Sequence, residues 1–268
     1  MSNISIKKFK KDLLRLGVKK NKSYFLHTSI IDVGCFNDNK IKNIPKNIYE
    51  SIKSLVGKNG TISTLTANYD YGNFKKNFDL SSSPTTHDIG YFSKYFLNRK
   101  SSKRSYNPIF NISSEGKNAR LITSAHSPNA FSDDSAWQEL YKLNTEIIFI
   151  GCDISVCTFI RFIEFKFGVP YLYNKLFKTK IINQGKTIFN YSCSPVRYRK
   201  SKIEYDLKRF QKLLLKKKVL KVIKSQNFKI MLLKMQPCFK IGTEQLRKNI
   251  YYFLKRKPLY YKGFNPEK

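Results

Sequence analysis

Acidic residues are scarce in this chain: 18 Asp and Glu stand against 51 Lys and Arg, a formal net charge of +33 over 268 residues. Such a field repels cations and favours anions of every kind. It admits a nucleic acid, an anionic membrane surface or a phosphorylated small molecule as partner. It is equally what codon bias produces, since Lys, Asn, Ile, Phe and Tyr are abundant together. Long apolar runs are missing too. No stretch sustains the roughly 18 apolar residues of a membrane span. The early lysines Lys7 to Lys11 lead into Asp12 and Arg15 instead of the apolar core of a secretory signal. A cytoplasmic location is expected. The cysteines, Cys35, Cys152, Cys157, Cys193 and Cys238, are odd in number and none of their spacings makes a zinc pattern, so reduced thiols and no metal are expected. Low-complexity linkers and internal repeats are also lacking, which points to a single domain over 1–268 with a basic tail at 256–268.

What is present is ample material for a core, with 41% hydrophobic residues. Apolar positions at helical spacing from Ser5 to Leu16, closed by Gly17, predict a helix and its stop. YFLHTSI at 24 to 30, GTISTL at 60 to 65 and EIIFIG at 146 to 151 read as buried strands. A helix is predicted over Ile44 to Val56, with Pro45 in its first turn. Further helices are expected at Gly90 to Leu97, Gly116 to Thr123 and from Ser155 or Thr158 to Phe167, and a strand near Ile109 to Ser113. The remainder of Thr66 to Pro108 is expected to be loop, where function is usually carried. Beyond Tyr173 the pattern predicts a hairpin region at 178 to 196 turning at Gln184 and Gly185, and a basic helix over 203 to 223. A strand at 228 to 236 and a closing helix at 243 to 254 complete the reading. Strands alternating with helices imply an α/β fold, with a mixed central sheet covered by helices on both faces.

Six strings then fall in a telling order: LGVKKNKSYFLHTSI at 16 to 30, VGKNGTISTLT at 56 to 66, FDLSSSPTTHDIGYF at 78 to 92, KRSYNP at 103 to 108, HSPNAFSDDSAWQEL at 126 to 140 and IIFIGCDISVCTFIRFIE at 147 to 164. In order and spacing they resemble the aminoglycoside 3-N-acetyltransferase family, with looser similarity over about 10 to 255. The resemblance implies a soluble acyltransferase that moves an acetyl group from acetyl-CoA, its co-substrate, to an amine of an aminoglycoside or related amino sugar. Such chemistry needs a base for the incoming ammonium and stabilisation of the thioester oxyanion.

The resemblance also implies residues. His126, in a loop with Phe131 and Ser135, matches the family's histidine motif and is the expected general base, to which the ordinary imidazole pKa of about 6.5 is suited. Glu164 matches the acidic residue that orients that histidine, completing the expected catalytic pair. His27, Thr28 and Ser29 resemble a strand-end motif that shapes the cofactor site. Arg104 and Ser105 resemble an Arg-Ser pair, expected at CoA phosphates with Thr158 at a helix start. His87 has no motif support.

The chain departs from the family at Asn107 and Arg161, positions usually filled by histidine. If those belong to acceptor recognition, the transfer apparatus is kept and the acceptor has changed, for example to a nucleotide-linked amino sugar of surface-polysaccharide biosynthesis. A cationic drug would need an acidic patch, and Asp70, Asp79, Asp133 and Asp134 are the loop carboxylates available. From other classes, a basic nucleic-acid-binding protein and an inactive CoA-binding family member are the alternatives. No stacking motif supports specific nucleic-acid binding, and the charge implies only peripheral attraction to anionic surfaces.

Overall fold

The computed structural model describes residues 4–36, 40–124, 127–198 and 201–259. From the N-terminus the elements run α1 (Ile6–Leu16), β1 (Ser23–Thr28), α2 (Ile30–Val33), α3 (Ile44–Val56), β2 (Thr61–Leu65), α4 (Asp70–Asn73), β3 (Phe78–Asp79) and α5 (Tyr91–Leu97). They continue with β4 (Lys103–Arg104), β5 (Ile112–Gly116), α6 (Ala119–Thr123), α7 (Ala136–Lys142), β6 (Glu146–Ile150) and α8 (Phe159–Phe167). The last part holds β7 (Leu172–Phe177), β8 (Ile181–Asn183), β9 (Lys186–Phe189), β10 (Ser192–Arg197), α9 (Lys208–Lys216), β11 (Leu220–Ser225), β12 (Phe228–Lys234) and α10 (Met235–Lys248).

Among the described residues the central sheet has seven strands in the order β11-β12-β6-β1-β2-β5-β4. The middle three are parallel, with Leu26 of β1 registered against Thr64 of β2 and Ile148 of β6. The flanking pairs are antiparallel. Successive side chains point to opposite faces, and β6 and β12 are apolar on both. Phe25, Ile147, Phe149, Met231 and Leu233 join one core with α7, α8, α9 and α10. Tyr24, Leu26, Ile148, Ile150, Ile230 and Leu232 join the other with α1, α3 and α5. The expected mixed sheet, covered on both faces, is therefore what these residues build.

Two outer β units complete the chain. β7 pairs with β10, and β8 and β9 form a hairpin against β3. The predicted turn is there, with Gln184 and Gly185 both at positive φ.

Several expected boundaries are corrected. The basic helix over 203 to 223 is only α9, because Lys218 turns to φ 55° and the following residues pair as β11 with β12. Lysines spaced along this stretch satisfy either period, so only pairing decides it. The closing helix begins directly after β12, with Pro237 in its first turn. The strand expected at 109 to 113 starts at Ile112, since Asn107 Oδ1 accepts from the N–H groups of Ile109 and Phe110 and holds a turn there. Among the described residues no helix is long and apolar enough to cross a membrane.

Candidate functional site

The loops that leave the C-terminal ends of parallel strands form the crevice in which open α/β sheets bind ligands. Here they are the segments after β1, β2 and β6. His27, one residue from the end of β1, is buried between Phe25 and Phe149, stacked on the latter at 5.4 Å between centroids. Its Nε2 accepts the backbone N–H of Thr158 at 3.4 Å. Burial pushes its pKa down to about 3, so the ring is neutral and tethers the start of α8 to β1. Thr28 is half-buried at the end of β1, opposite Ile150. Ser29 donates its backbone N–H to the Ile150 carbonyl at 2.9 Å and its hydroxyl to Asp32.

On the opposite side of β1, Asn111 is a buried polar hub. Its Oδ1 accepts from Thr66 Oγ1 at 2.8 Å and Arg104 Nε at 2.7 Å, and its Nδ2 donates to the carbonyls of Ser105 and Asn107. Arg104 also donates to the carbonyls of Thr66 and Ser83 and lies over the Phe78 ring. Burial brings its pKa down to about 9. All three guanidinium nitrogens are thus bonded inside the protein. Arg104 is therefore held as a strut, at odds with the phosphate contact implied by the resemblance to the family's Arg-Ser pair. Ser105 is equally enclosed, its hydroxyl accepting the Ile112 N–H at 2.9 Å.

Glu164 is fully buried on α8, not on a solvated helix face. One carboxylate oxygen accepts from the Tyr171 hydroxyl at 2.7 Å. The other accepts from Arg161 Nη1 at 2.9 Å and the Tyr205 hydroxyl at 3.0 Å. Burial pushes its pKa up to about 7 against the pull of Arg161 and Tyr171. The guanidinium of Arg161, itself shifted down by burial, lies 4.0 Å from the Tyr205 ring centroid. Two carboxylate oxygens offer about four acceptor sites, of which donors among the described residues fill three.

Arg161 forms the floor of a two-chambered cleft. The larger chamber, about 780 Å³, runs between Tyr69 and Asn73 after β2, Phe110, the ribbon of β7 and β10, and residues 202–204. The second, about 640 Å³, opens along Ser155 to Thr158 at the start of α8 and continues to Tyr205 and Lys255. Tyr69, Phe110, Arg161, Arg197, Ile203 and Glu204 line both. Burial raises the pKa of the Tyr69 hydroxyl, which favours the protonated donor form.

Of the residues singled out in the sequence, Thr158 lines this cleft, His27 is bonded to its backbone and Glu164 lies under its floor through Arg161. Thr28, Ser29, Arg104 and Ser105 do not line it. His126 lies outside the described residues. The segment that follows it is held firmly: Asn107 Nδ2 donates to the Pro128 carbonyl at 2.8 Å, and Ala130 and Cys193 close backbone bonds across to β10. Phe131 packs on Phe110 at 4.6 Å and on Phe162 and Phe165 of α8. None of the four loop carboxylates lines the cleft. Asp133 is exposed and paired with Lys166 at 2.5 Å, and Asp79 is held in its own turn by Ser81 and Ser82.

Sequence reasoning missed Tyr171, Tyr205, the Asn111 hub and the cleft cations Lys175, Arg197 and Lys202. Only the pairing of Arg161 with Glu164, one helical turn apart, had a local signal. Tyr205 meets Glu164 from 41 positions away.

A sequence profile described as aminoglycoside 3-N-acetyltransferase matches residues 25–247. A Bacillus subtilis (strain 168) protein, the SPbeta prophage-derived aminoglycoside N(3')-acetyltransferase-like protein YokD, is 23% identical over 198 residues, covering 66% of this chain and 67% of its own length. Among solved structures, the fold resembles that of AAC-IIIb in a binary complex with CoASH, with a TM-score of 0.77 and 16% identity over 96% of this chain and 100% of that one. It also resembles a histidine-to-alanine mutant of aminoglycoside acetyltransferase AAC(3)-IVa in complex with gentamicin, with a TM-score of 0.75 and 21% identity over 96% and 93%.

Proposed function

Because the chain belongs to the aminoglycoside 3-N-acetyltransferase family, we propose that it transfers the acetyl group of acetyl-CoA directly to an amine of an aminoglycoside or related amino sugar, with His126 as general base. The observation that carries this reading is the two-chambered cleft at the C-terminal ends of the parallel strands, with Arg161 between its chambers. A transferase of this kind brings two substrates together at one point.

The base takes a proton from the substrate ammonium, since an amine is nucleophilic only when unprotonated. The freed nitrogen attacks the thioester carbonyl carbon, the new C–N bond replaces the C–S bond, and the departing thiolate is protonated to the CoA thiol. We assign the chamber beside Thr158 to the coenzyme. Its residues suit that molecule chemically: Lys255 and Arg197 match phosphates, while the Thr158 hydroxyl is a donor for the thioester end. Neighbours bound to CoA and to gentamicin support a shared site of this type. Arg104 and Ser105 act through the loops they hold. Glu164 is a positioning residue, its fourth acceptor site suited to an imidazole N–H. We place the reaction in the cytoplasm, in keeping with five cysteines that carry no disulfide.

Release of CoA thiol in the presence of acetyl-CoA and a panel of amino sugars and aminoglycosides tests the reading. His126→Ala is expected to lower kcat by roughly 10²-fold or more. Full activity in that folded variant would remove His126 from its role. Glu164→Gln is expected to move the ascending limb of the pH–rate profile to lower pH, because a carboxylate beside an imidazole holds its pKa up. An unmoved limb would leave Glu164 with packing alone.

A further inference from the structure

The larger chamber is the part of the cleft that the coenzyme assignment leaves to the acceptor, and its electrostatics bear on what that acceptor is. Among the described residues its charged lining consists of Arg161, Lys175, Arg197 and Lys202 against one carboxylate, Glu204. That carboxylate already faces Lys255 and Arg256, each at 3.4 Å. Arg161 is balanced by Glu164 beneath it, whereas among the described residues Lys175 and Lys202 form no ion pair with a carboxylate. Asp88 lies near enough to act on Tyr69, but it is exposed and outside the lining. A polycationic aminoglycoside would therefore enter a cavity of its own sign, where among the described residues the one lining carboxylate, Glu204, is already paired. An anion meets the opposite situation. The same wall presents Tyr173 and Tyr198 stacked face to face, with centroids 5.0 Å apart, a flat aromatic surface suited to a ring or a base.

Resting on the acetyl-transfer reading, we infer that the amine acetylated by this chain is carried on a phosphate-bearing amino sugar, of the nucleotide-linked kind, and that Lys175 and Lys202 hold its phosphates. The two lysines line only the acceptor chamber, so their effect is separable from coenzyme binding. The reaction is unchanged; the lysines select which amine reaches the thioester.

The test measures CoA-thiol release by the full chain at saturating acetyl-CoA and about 0.15 M salt. The acceptors are glucosamine, glucosamine 6-phosphate, UDP-glucosamine and kanamycin. The expected result is a KM for the phosphorylated acceptors at least about tenfold below that for glucosamine and for kanamycin. UDP-glucosamine outperforming the simple phosphate marks the nucleotide class, and equality between the two marks phosphate alone and overturns the nucleotide part. Lys175→Gln with Lys202→Gln is expected to bring the phosphate preference close to one. Lys46→Gln, which removes one positive charge on α3 away from the cleft, is expected to keep it. Equal KM for glucosamine and its phosphate, kanamycin as the best acceptor, or an equal loss of preference in Lys46→Gln overturns the inference. So does a double variant that raises the KM for acetyl-CoA alone, since the lysines then serve the coenzyme. If no acceptor is acetylated, the transfer reading fails, and equilibrium binding to the CoA-loaded protein decides the rest. UDP-glucosamine binding about tenfold tighter than kanamycin supports the anionic site, and parity overturns it.

Discussion

His27 illustrates how far a side chain's environment displaces its sequence-level role. Its place in the motif suggested a ligand contact, yet the ring is enclosed by Phe25 and Phe149 and accepts from the Thr158 backbone. With a folded pKa of about 3 against an ordinary 6.5, the unfolded chain binds the proton more readily between those values. Stability from this residue is complete above pH 6.5 and is lost as pH falls toward 3, by an amount on the order of a few kcal/mol. Urea denaturation of wild type and His27→Gln at pH 7, 5.5 and 4 should therefore show the wild type losing more stability on acidification than the variant. Parallel curves would mean that the ring titrates normally. Arg104, Ser105 and Glu164 make the same point. The strings singled out all three, but hydrogen-bond partners drawn from Thr66, Ser83, Asn111, Tyr171 and Tyr205 are invisible in a linear motif.

At the scale of elements, the legible parts were those whose pattern is local. β1 and β6 carry apolar runs and α1 and α3 an apolar helical period, and Gly17 ends α1 in the left-handed region at φ 116°, donating to the carbonyls of Leu13 and Leu14. Elements defined by pairing with distant strands were not legible. β4, β7 and β11 mix polar or basic residues with any apolar ones and take their form from β5, β10 and β12. The junction of β5 with α6 depends on close approach. A Cβ on Gly116 would lie 2.1 Å from the Gly60 carbonyl oxygen, at a φ of +116°, whereas Gly57 at φ +71° has nothing within 4 Å of the same position. Gly57→Ala should thus cost about 1–2 kcal/mol for backbone strain alone, since φ 71° with ψ −171° is a region left almost wholly to glycine. Gly116→Ala should cost more than about twice that, since strain and a backbone clash combine. Denaturant midpoints of the two variants compare them directly, and equal losses would refute the close approach.

For the whole molecule, a net charge of +33 opposes compaction by self-repulsion. Raising salt from about 0.02 to about 0.3 M shortens the reach of that repulsion, so Tm is expected to rise over the range. A Tm that falls or stays level would show that the local ion pairs outweigh the long-range field. The sequence alone determined the architecture, because alternation on strands and period on helices are written in neighbouring residues, and it determined the family, because six ordered strings survive divergence. Only the tertiary structure decided which of the marked residues meet: Arg161 under the cleft with Glu164, Arg104 enclosed away from it, and the lysines of β7 and the 202–204 segment around it. The physical reason is distance along the chain. A cleft is made by segments separated by tens of residues, and its charge is fixed by which side chains folding leaves facing one another.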